Sequence, residues 1–238
     1  MDPVYFIDSD AYDLQKGLLM TQTTLKIYET FASIQGESSY AGKPCFFIRL
    51  AGCQLNCRWC DTRKARSFDS GTEMTIAQLL DLAKEAAIPL VEITGGEPLM
   101  QKNVVVLAQA LLDAGYTVLM ETNGAADCSV LPDGVIRIID MKTPSSGEDQ
   151  AMLKSNFRNV RSCDEVKFVI EDRRDYDFSV QAVKEFDLEN RAGHVLFSPA
   201  AGTMDSAELV KWILEDHLNV RINLQFHKII WGAEAEGV

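Results

Sequence analysis

Cys53, Cys57 and Cys60 stand in the run CQLNCRWC, three thiols separated by three and then two residues, directly after the strand-like stretch FFIRLAG. Three thiolates on one tight loop can hold three irons of a cubane [4Fe–4S] cluster and leave the fourth iron open to a small molecule. An open iron points to chemistry rather than storage. A structural zinc site takes four ligands from two paired knuckles, and no second Cys/His pair follows at a suitable distance; His194, His217 and His227 are scattered. A thioredoxin-like pair of Cys57 and Cys60 would need no third cysteine upstream, and buried free thiols are the remaining alternative. Cys45, Cys128 and Cys163 are isolated in apolar or mixed surroundings and read as small core residues.

Other residues with chemical potential stand where strand-like runs end. IPLVEITGGEP closes on Thr94, Gly95, Gly96, Glu97 and Pro98, and two glycines after a strand allow close approach of a ligand to main-chain groups. VLMETNG ends on Glu121, Thr122, Asn123 and Gly124, polar groups suited to ligand hydroxyls or to a solvated, glycine-capped turn. VIRIIDMKTPSSG delivers Asp140, Met141 and Lys142, a functional hint because a core strand excludes uncompensated charge. VLFSPAAG brings Ser198, Pro199, Ala200 and Ala201 to another strand end, and FASIQGES supplies Ile34, Gln35, Gly36 and Glu37. Arg49, inside the apolar FFIRLAG, has a planar fork that suits a carboxylate, either on a ligand or in an internal salt bridge. Asp61 and Thr62, directly after Cys60, are hard oxygen donors that suit Mg²⁺ better than a soft metal.

The elements that must position these groups alternate along the chain. Strand-like runs at 25–34, 45–51, 89–94, 116–121, 135–140, 165–170, 194–197 and 222–230 are separated by helical patterns near 75–87, 102–114, 148–160, 179–186 and 205–218. Thr75 with Gln78 three residues on forms a capping-box pattern, Asp205 or Ser206 precedes another periodic run, and Gly115 stands where the second helix should stop. A βα series implies an α/β fold with a mostly parallel sheet, helices outside it and functional loops at the carboxyl ends of the strands. A complete eight-fold barrel takes about 250 residues, so a partial, open barrel of about six βα units is expected. Residues 1–24 read as an N-terminal extension and 25–238 as the core domain, without internal repeat or interdomain linker.

The chain has 238 residues, 47% of them hydrophobic, enough to bury a sizeable core. Six cysteines without regular pairing, and an acidic start, MDPVYFIDSDAYD, where a signal peptide would be basic, point to a reducing cytoplasm. No apolar run approaches the roughly 20 residues needed to span a bilayer. The net charge of −12 repels phosphate backbones and speaks against nucleic acid as a partner.

The spacing CxxxCxxC, with Trp59 between the second and third cysteines, and the GGEP turn resemble the radical S-adenosylmethionine (SAM) enzymes. Within that superfamily, SIQGES, the Arg49 strand, CDT, ETNG, DMKTPSSG and the late QFHKIIWG resemble the 7-carboxy-7-deazaguanine synthase family over about residues 26–232. The resemblance implies a reduced-barrel radical SAM fold, usually a homodimer, and a carbon–nitrogen lyase. Its reaction turns 6-carboxy-5,6,7,8-tetrahydropterin into 7-carboxy-7-deazaguanine with loss of ammonia, by way of a 5′-deoxyadenosyl radical. It also implies a [4Fe–4S] cluster, S-adenosylmethionine and Mg²⁺ as cofactors, and a flavodoxin- or ferredoxin-type electron donor. By position, Cys53, Cys57 and Cys60 would bind the cluster and Thr62 the Mg²⁺. Trp59, Asp61, Gly96, Asp140, Met141, Lys142, Ser198, Pro199, Ala200 and Ala201 fall at cofactor positions. Ile34, Gln35, Gly36, Glu37, Arg49 and Thr94 fall at substrate positions. Some family members end in a proline whose carboxylate meets the substrate, whereas this chain runs on to Val238. The competing readings are a radical activating enzyme acting on a protein, which should lack the pterin pocket, and an electron-transfer module, which would protect its cluster with four protein ligands.

Overall fold

The even-numbered residues of PCFFIRL face one way and the odd-numbered ones the other, and this alternation, repeated strand by strand, organises the molecule. The computed structural model describes residues 17, 19–232, 235 and 237. Its strands are β1 (Thr24–Ile34), β2 (Pro44–Leu50), β3 (Thr72–Thr75), β4 (Leu90–Gly95), β5 (Thr117–Thr122), β6 (Ile136–Asp140), β7 (Glu165–Ile170), β8 (His194–Pro199) and β9 (Arg221–Ile222). They form one curved sheet in the order β3-β1-β2-β4-β5-β6-β7-β8-β9. From β2 to β9 every pairing is parallel, and β1 runs antiparallel to both β2 and β3. β3 and β9 are the two ends of that order, so the barrel is open, as expected.

Helices cover the outer face. α1 (Ile76–Ala86) and α2 (Val104–Asp113) press Ile76, Leu79, Leu107 and Leu111 onto Ile48, Leu50, Val91, Ile93, Val118 and Met120. α3 (Lys154–Arg158), α4 (Arg173–Glu185), α5 (Leu188–Arg191) and α6 (Ser206–Glu215) cover the other half, where Tyr176, Val183, Leu209 and Ile213 meet Phe168, Ile170, Val195 and Phe197. The capping box is formed: Gln78 N–H donates to Thr75 Oγ1, and the Gln78 side chain accepts from Thr75 N–H at 2.8 Å. Asp205 caps α6 through Ala207 N–H, and Gly115 N–H bonds Leu112 to stop α2.

The concave face carries a small apolar floor, Cys45, Phe47, Leu90, Leu119 and Ile138, with Phe31 stacked on Phe47 at 4.9 Å. Beyond it, toward the carboxyl ends of the strands, the same alternation points Arg49, Glu92, Thr94, Glu121, Asp140 and Lys167 inward.

Several expectations need correction. The run 222–230 is not one strand: β9 pairs with β8 only at Arg221 and Ile222, and Phe226–Trp231 forms helix α7. The cause is Asn223, whose side chain accepts from Ser38 N–H and donates to Ser198 Oγ, each at 2.8 Å, and so turns the chain away from the sheet edge. The helix near 148–160 is a 3-10 turn at Asp149–Ala151 and the short α3, and the one near 179–186 begins already at Arg173 behind an Asp172 cap. β3, a four-residue polar edge strand, was not expected. Cys163 is exposed rather than a core residue, while Cys45 and Cys128 are buried. The expected extension, residues 1–24, lies for the most part outside the described residues, as does Val238; β1 already begins at Thr24 and Met20 packs on the core. Among the described residues no helix is long and apolar enough to cross a membrane.

Candidate active site

β2 ends at Leu50 and the chain enters the cysteine loop, which is anchored at both flanks. Gly52 N–H and Cys53 N–H donate to the carbonyls of Ala65 and Arg66 at 2.8 and 3.0 Å, and Arg58 N–H donates to Ser146 at 3.1 Å. Cys53, Cys57 and Cys60 are free, half-buried thiols. Burial pushes the Cys57 thiol up, Lys142 opposes this, and the nearby thiols Cys60 and Cys53 push it further up. Burial likewise raises Cys53, whose sulfur accepts from Asn123 Nδ2 at 3.7 Å. Among the described residues no three His, Cys, Asp or Glu side chains converge on one metal ion. Three thiols on one anchored loop suit a polynuclear cluster, in which each sulfur binds a different iron.

The GGEP turn lies directly beside this loop. Gly95 has φ +144°, and a Cβ on Gly96 would overlap the Gly52 carbonyl. Glu97 N–H donates to that carbonyl at 2.7 Å. Glu97 is fully buried, and its carboxylate accepts from Thr122 Oγ1 at 2.9 Å, Asn123 N–H at 2.7 Å and Leu99 N–H at 3.0 Å. One side chain therefore ties the GGEP turn to the ETNG turn, a role that the sequence reading did not assign to it. We expect Gly96→Ala to dislodge the cysteine loop and reduce the iron held after reconstitution to well under half, measured as iron per chain.

Below the loops lies a charged layer. Lys167 Nζ contacts Glu37 at 3.0 Å and Asp140 at 3.9 Å and donates to Glu121. Burial opposes its charge, yet Glu121, Glu37 and Asp140 hold the ammonium well above its ordinary pKa. Burial would raise Glu37, but Lys167 and a 2.7 Å hydrogen bond from Gln225 Nε2 keep it below the ordinary carboxylate value. Lys142 pairs with Asp140 at 2.7 Å, and among the described residues the buried Asp140 Oδ1 has no hydrogen-bond partner, an acceptor left for a ligand. Met141 is buried beneath this turn. Burial, then the carboxylates of Glu121 and Glu37, push Glu92 well above its ordinary pKa, and Gln35 Nε2 donates to it.

Arg49 stands opposite Thr94 in the β2–β4 register, and Thr94 Oγ1 donates to Glu121 at 3.3 Å. Arg49 Nε donates to Glu29 at 2.8 Å, and the terminal nitrogens make no further hydrogen bond among the described residues. Both sequence readings of Arg49 are thus compatible: an internal salt bridge holds one edge of the fork while the rest remains for a ligand. Ile34 ends β1, and Gly36 lies against the His227 ring, its carbonyl accepting from Phe226 N–H at 2.9 Å. Asp61 accepts from Lys228 Nζ and Gln225 Nε2, each at 3.2 Å, and from Thr62 Oγ1 at 3.0 Å. α7 and its N-cap residue Gln225 thereby join the segment after β1 to the cysteine loop. Ser198 is buried against Asn223, Ala200 is buried with its N–H on Ile170, Pro199 ends β8, Ala201 is exposed, and Trp59 on the cysteine loop is half-buried. Hydrogen bonds and ion pairs link Gln35, Glu37, Asp61, Thr62, Thr94, Asp140, Lys142 and Ser198 into one network with Glu92, Glu121, Lys167, Asn223, Gln225 and Lys228, a network that among the described residues does not include Trp59, Pro199, Ala200 or Ala201.

The Radical SAM superfamily pattern matches residues 47–141. A 7-carboxy-7-deazaguanine synthase of Koribacter versatilis is 42% identical over 228 residues, covering 90% of this chain and 100% of that protein. The chain belongs to the 7-carboxy-7-deazaguanine synthase family. A second 7-carboxy-7-deazaguanine synthase, of Chlorobaculum tepidum, is 40% identical over 223 residues and spans 92% of this chain and 100% of its own. The crystal structure of QueE from Escherichia coli superposes with a TM-score of 0.72 at 21% identity, over 90% of this chain and 99% of that one, a match of fold. As a radical SAM enzyme of the 7-carboxy-7-deazaguanine synthase family, the chain uses a [4Fe–4S] cluster and S-adenosylmethionine. The three crowded thiols fit the cluster chemically, as soft donors on one anchored loop.

Proposed function

We propose that this enzyme converts 6-carboxy-5,6,7,8-tetrahydropterin to 7-carboxy-7-deazaguanine with release of ammonia. The observation that carries the reading is the combination of Arg49, Thr94 and Gln35 on the concave face, immediately below the strand ends that bear the three-cysteine loop and the GGEP turn. When bound, the cluster and S-adenosylmethionine supply the radical chemistry. The protein's part is to bind, orient and shield.

Arg49 offers its terminal nitrogens to the substrate carboxylate, with Glu29 fixing the plane of the fork. Gln35, held by Glu92 and Glu37 N–H, and the backbone of Ile34 and Gly36 line the substrate side. Gly96 leaves room for cofactor groups at main-chain atoms, and the Asp140, Met141 and Lys142 turn, with Trp59, Asp61 and Ser198 to Ala201, surrounds the cofactor. Thr62, its hydroxyl beside Asp61, supports a hard Mg²⁺ ion through oxygen donors. The partners of this reading are a homodimeric second copy and a one-electron carrier. A radical activating enzyme acting on a protein has no use for a pterin-carboxylate site, which Arg49, Thr94 and Gln35 would form here.

The test is an anaerobic assay of reconstituted protein with S-adenosylmethionine, a reductant, Mg²⁺ and the pterin, following deazaguanine and 5′-deoxyadenosine by mass. Product with little 5′-deoxyadenosine is expected; cofactor cleavage without product would reject this substrate. Arg49→Ala should keep its iron and raise KM for the pterin about 10- to 100-fold, the equivalent of about 1.5–3 kcal/mol for a charge-assisted hydrogen bond. Unchanged turnover at limiting pterin would remove Arg49 from carboxylate binding. Thr62→Ala should flatten the dependence of rate on Mg²⁺ without loss of iron, and an unaltered Mg²⁺ titration would take Thr62 out of that role.

A further inference from the structure

In the proposed reaction the pterin lies beside residues 34–37 and the cofactor beside residues 198–201, segments far apart in the chain. One buried side chain touches both. Asn223 is 4% exposed and directly follows β9, and its N–H donates to the Phe197 carbonyl at 2.9 Å, which fixes its backbone to the carboxyl end of β8. A carboxamide has one acceptor oxygen and two donor hydrogens, and here all of them find partners. Asn223 Oδ1 accepts from Ser38 N–H at 2.8 Å, while Nδ2 donates to Ser198 Oγ at 2.8 Å and to Glu37 Oε2 at 3.3 Å. Glu37 Oε2 also pairs with Lys167 at 3.0 Å, so the bridge runs on into the charged layer. Because Ser198 Oγ is the acceptor in its bond to Asn223, the hydroxyl's own proton is left for another acceptor.

We propose that Asn223 is a positioning residue that couples the two ligands, so that S-adenosylmethionine at the end of β8 and the pterin beside Glu37 each raise the affinity for the other. The inference rests on the proposed function, which supplies both ligands. Asn223 acts through Ser198 on one side and through Glu37 and Ser38 on the other. A displacement of Ser198 must be answered by Glu37 and Ser38, or a buried polar group is left unpaired at a cost in free energy. A ligand that fixes Ser198 therefore narrows the positions open to Glu37 and Ser38, and the second ligand has less freedom left to remove. Linkage makes the effect reciprocal: each ligand tightens the other by the same factor. Loss of the bridge leaves the loop two other tethers, Ser39 N–H on Glu165 at 3.2 Å and the Gly36 carbonyl on Phe226 N–H at 2.9 Å.

The experiment uses anaerobic, cluster-loaded protein with the cluster left oxidised, so that both ligands bind without turnover. Calorimetry gives the affinity for S-adenosylmethionine with and without saturating 6-carboxy-5,6,7,8-tetrahydropterin. Wild type is compared with Asn223→Ala, which removes all three side-chain bonds, and with Asn223→Asp, which keeps the acceptor for Ser38 N–H but loses both donor hydrogens; either variant alone decides the matter if the other does not fold. In wild type the pterin should tighten S-adenosylmethionine binding about fivefold or more, with the same factor for the pterin when the order of titration is reversed. In the variants that factor should fall below about twofold, while the affinity for each ligand alone stays within about threefold of wild type. Affinities that weaken together with the wild-type factor retained would mark a merely structural residue and overturn the proposal, as would wild type that binds both ligands without coupling. Wild type that binds S-adenosylmethionine but no pterin would instead overturn the proposed substrate, and the coupling with it.

Discussion

Cys57→Ala should lose iron, visible absorption and product formation together, with turnover falling below detection, while the far-ultraviolet spectrum stays that of wild type. The two halves of this expectation have separate physical grounds. Cys57 is half-buried and its thiol forms no disulfide among the described residues, and the loop around it is held by main-chain bonds at Gly52, Cys53 and Arg58 that alanine leaves in place. With one of three thiolates gone, a second iron loses its protein ligand, and a cluster held by two sulfurs does not persist. The informative control is Cys45→Ala. That thiol lies in the apolar floor, where burial raises its pKa, and its removal should lower stability while leaving iron content unchanged. Iron retained in Cys57→Ala would refute the cluster assignment.

Lys167→Met should destabilise the protein by about 3–5 kcal/mol at neutral pH, the range for removing one partner of a buried charge set. Lys167 is only 6% exposed and sits among Glu37, Glu121 and Asp140, so its loss leaves three inward carboxylates without their shared cation. The pH dependence follows from Glu37. A carboxyl whose folded pKa is depressed adds stability above its unfolded pKa, and that increment is lost as pH falls through the folded value. Lys167 supplies much of the depression at Glu37. The variant therefore lacks the increment at neutral pH, and the gap to wild type should narrow on acidification below the ordinary carboxylate range. Urea unfolding at several pH values measures this; a midpoint equal to wild type at neutral pH would show that the charged layer is not energetically coupled.

The α/β order and the open sheet were readable because apolar runs, caps and glycines agree locally, as at Thr75 with Gln78 and at Gly115. The cysteine loop and the GGEP turn were readable from spacing. The charged layer was only half seen: Arg49, Glu121 and Asp140 stood out at or near the ends of otherwise apolar strands, but Glu92 and Lys167 were passed over. The signal was present. Strands of a parallel sheet covered on both faces read as continuous apolar runs, whereas EVKFVI alternates Glu165 and Lys167 with Val166 and Phe168, the mark of a sheet with one polar face. The end of the chain failed for a different reason. The apolar residues of INLQFHKIIW fit neither period cleanly, and the decisive event, Asn223 bridging Ser38 and Ser198, joins residues 185 positions apart and leaves no local trace. The bridging role of Glu97 was unreadable for the same reason, since its partners Thr122 and Asn123 stand at the end of the next strand and just past it.

The gap between the sheet's two ends has a consequence for how the molecule breathes. Around the rest of the circumference neighbouring strands are laced by main-chain ladders, but here the closure is the Gly36–Phe226 bond, the Asn223 bridge, the contacts of Ser39 with Glu165 and of Glu37 with Lys167, and the side chains of Gln225 and Lys228. α7 has no buried residue to hold it down. Local opening costs least where apolar burial is sparse, so amide protons of α7 are freed in excursions that leave β4 to β7 intact. The hollow's weakest wall and the fold's first place to fray therefore coincide. A ligand that engages Glu37 or Asp61 also stitches this margin, and its arrival would register as slowed amide exchange in a helix that need not touch it.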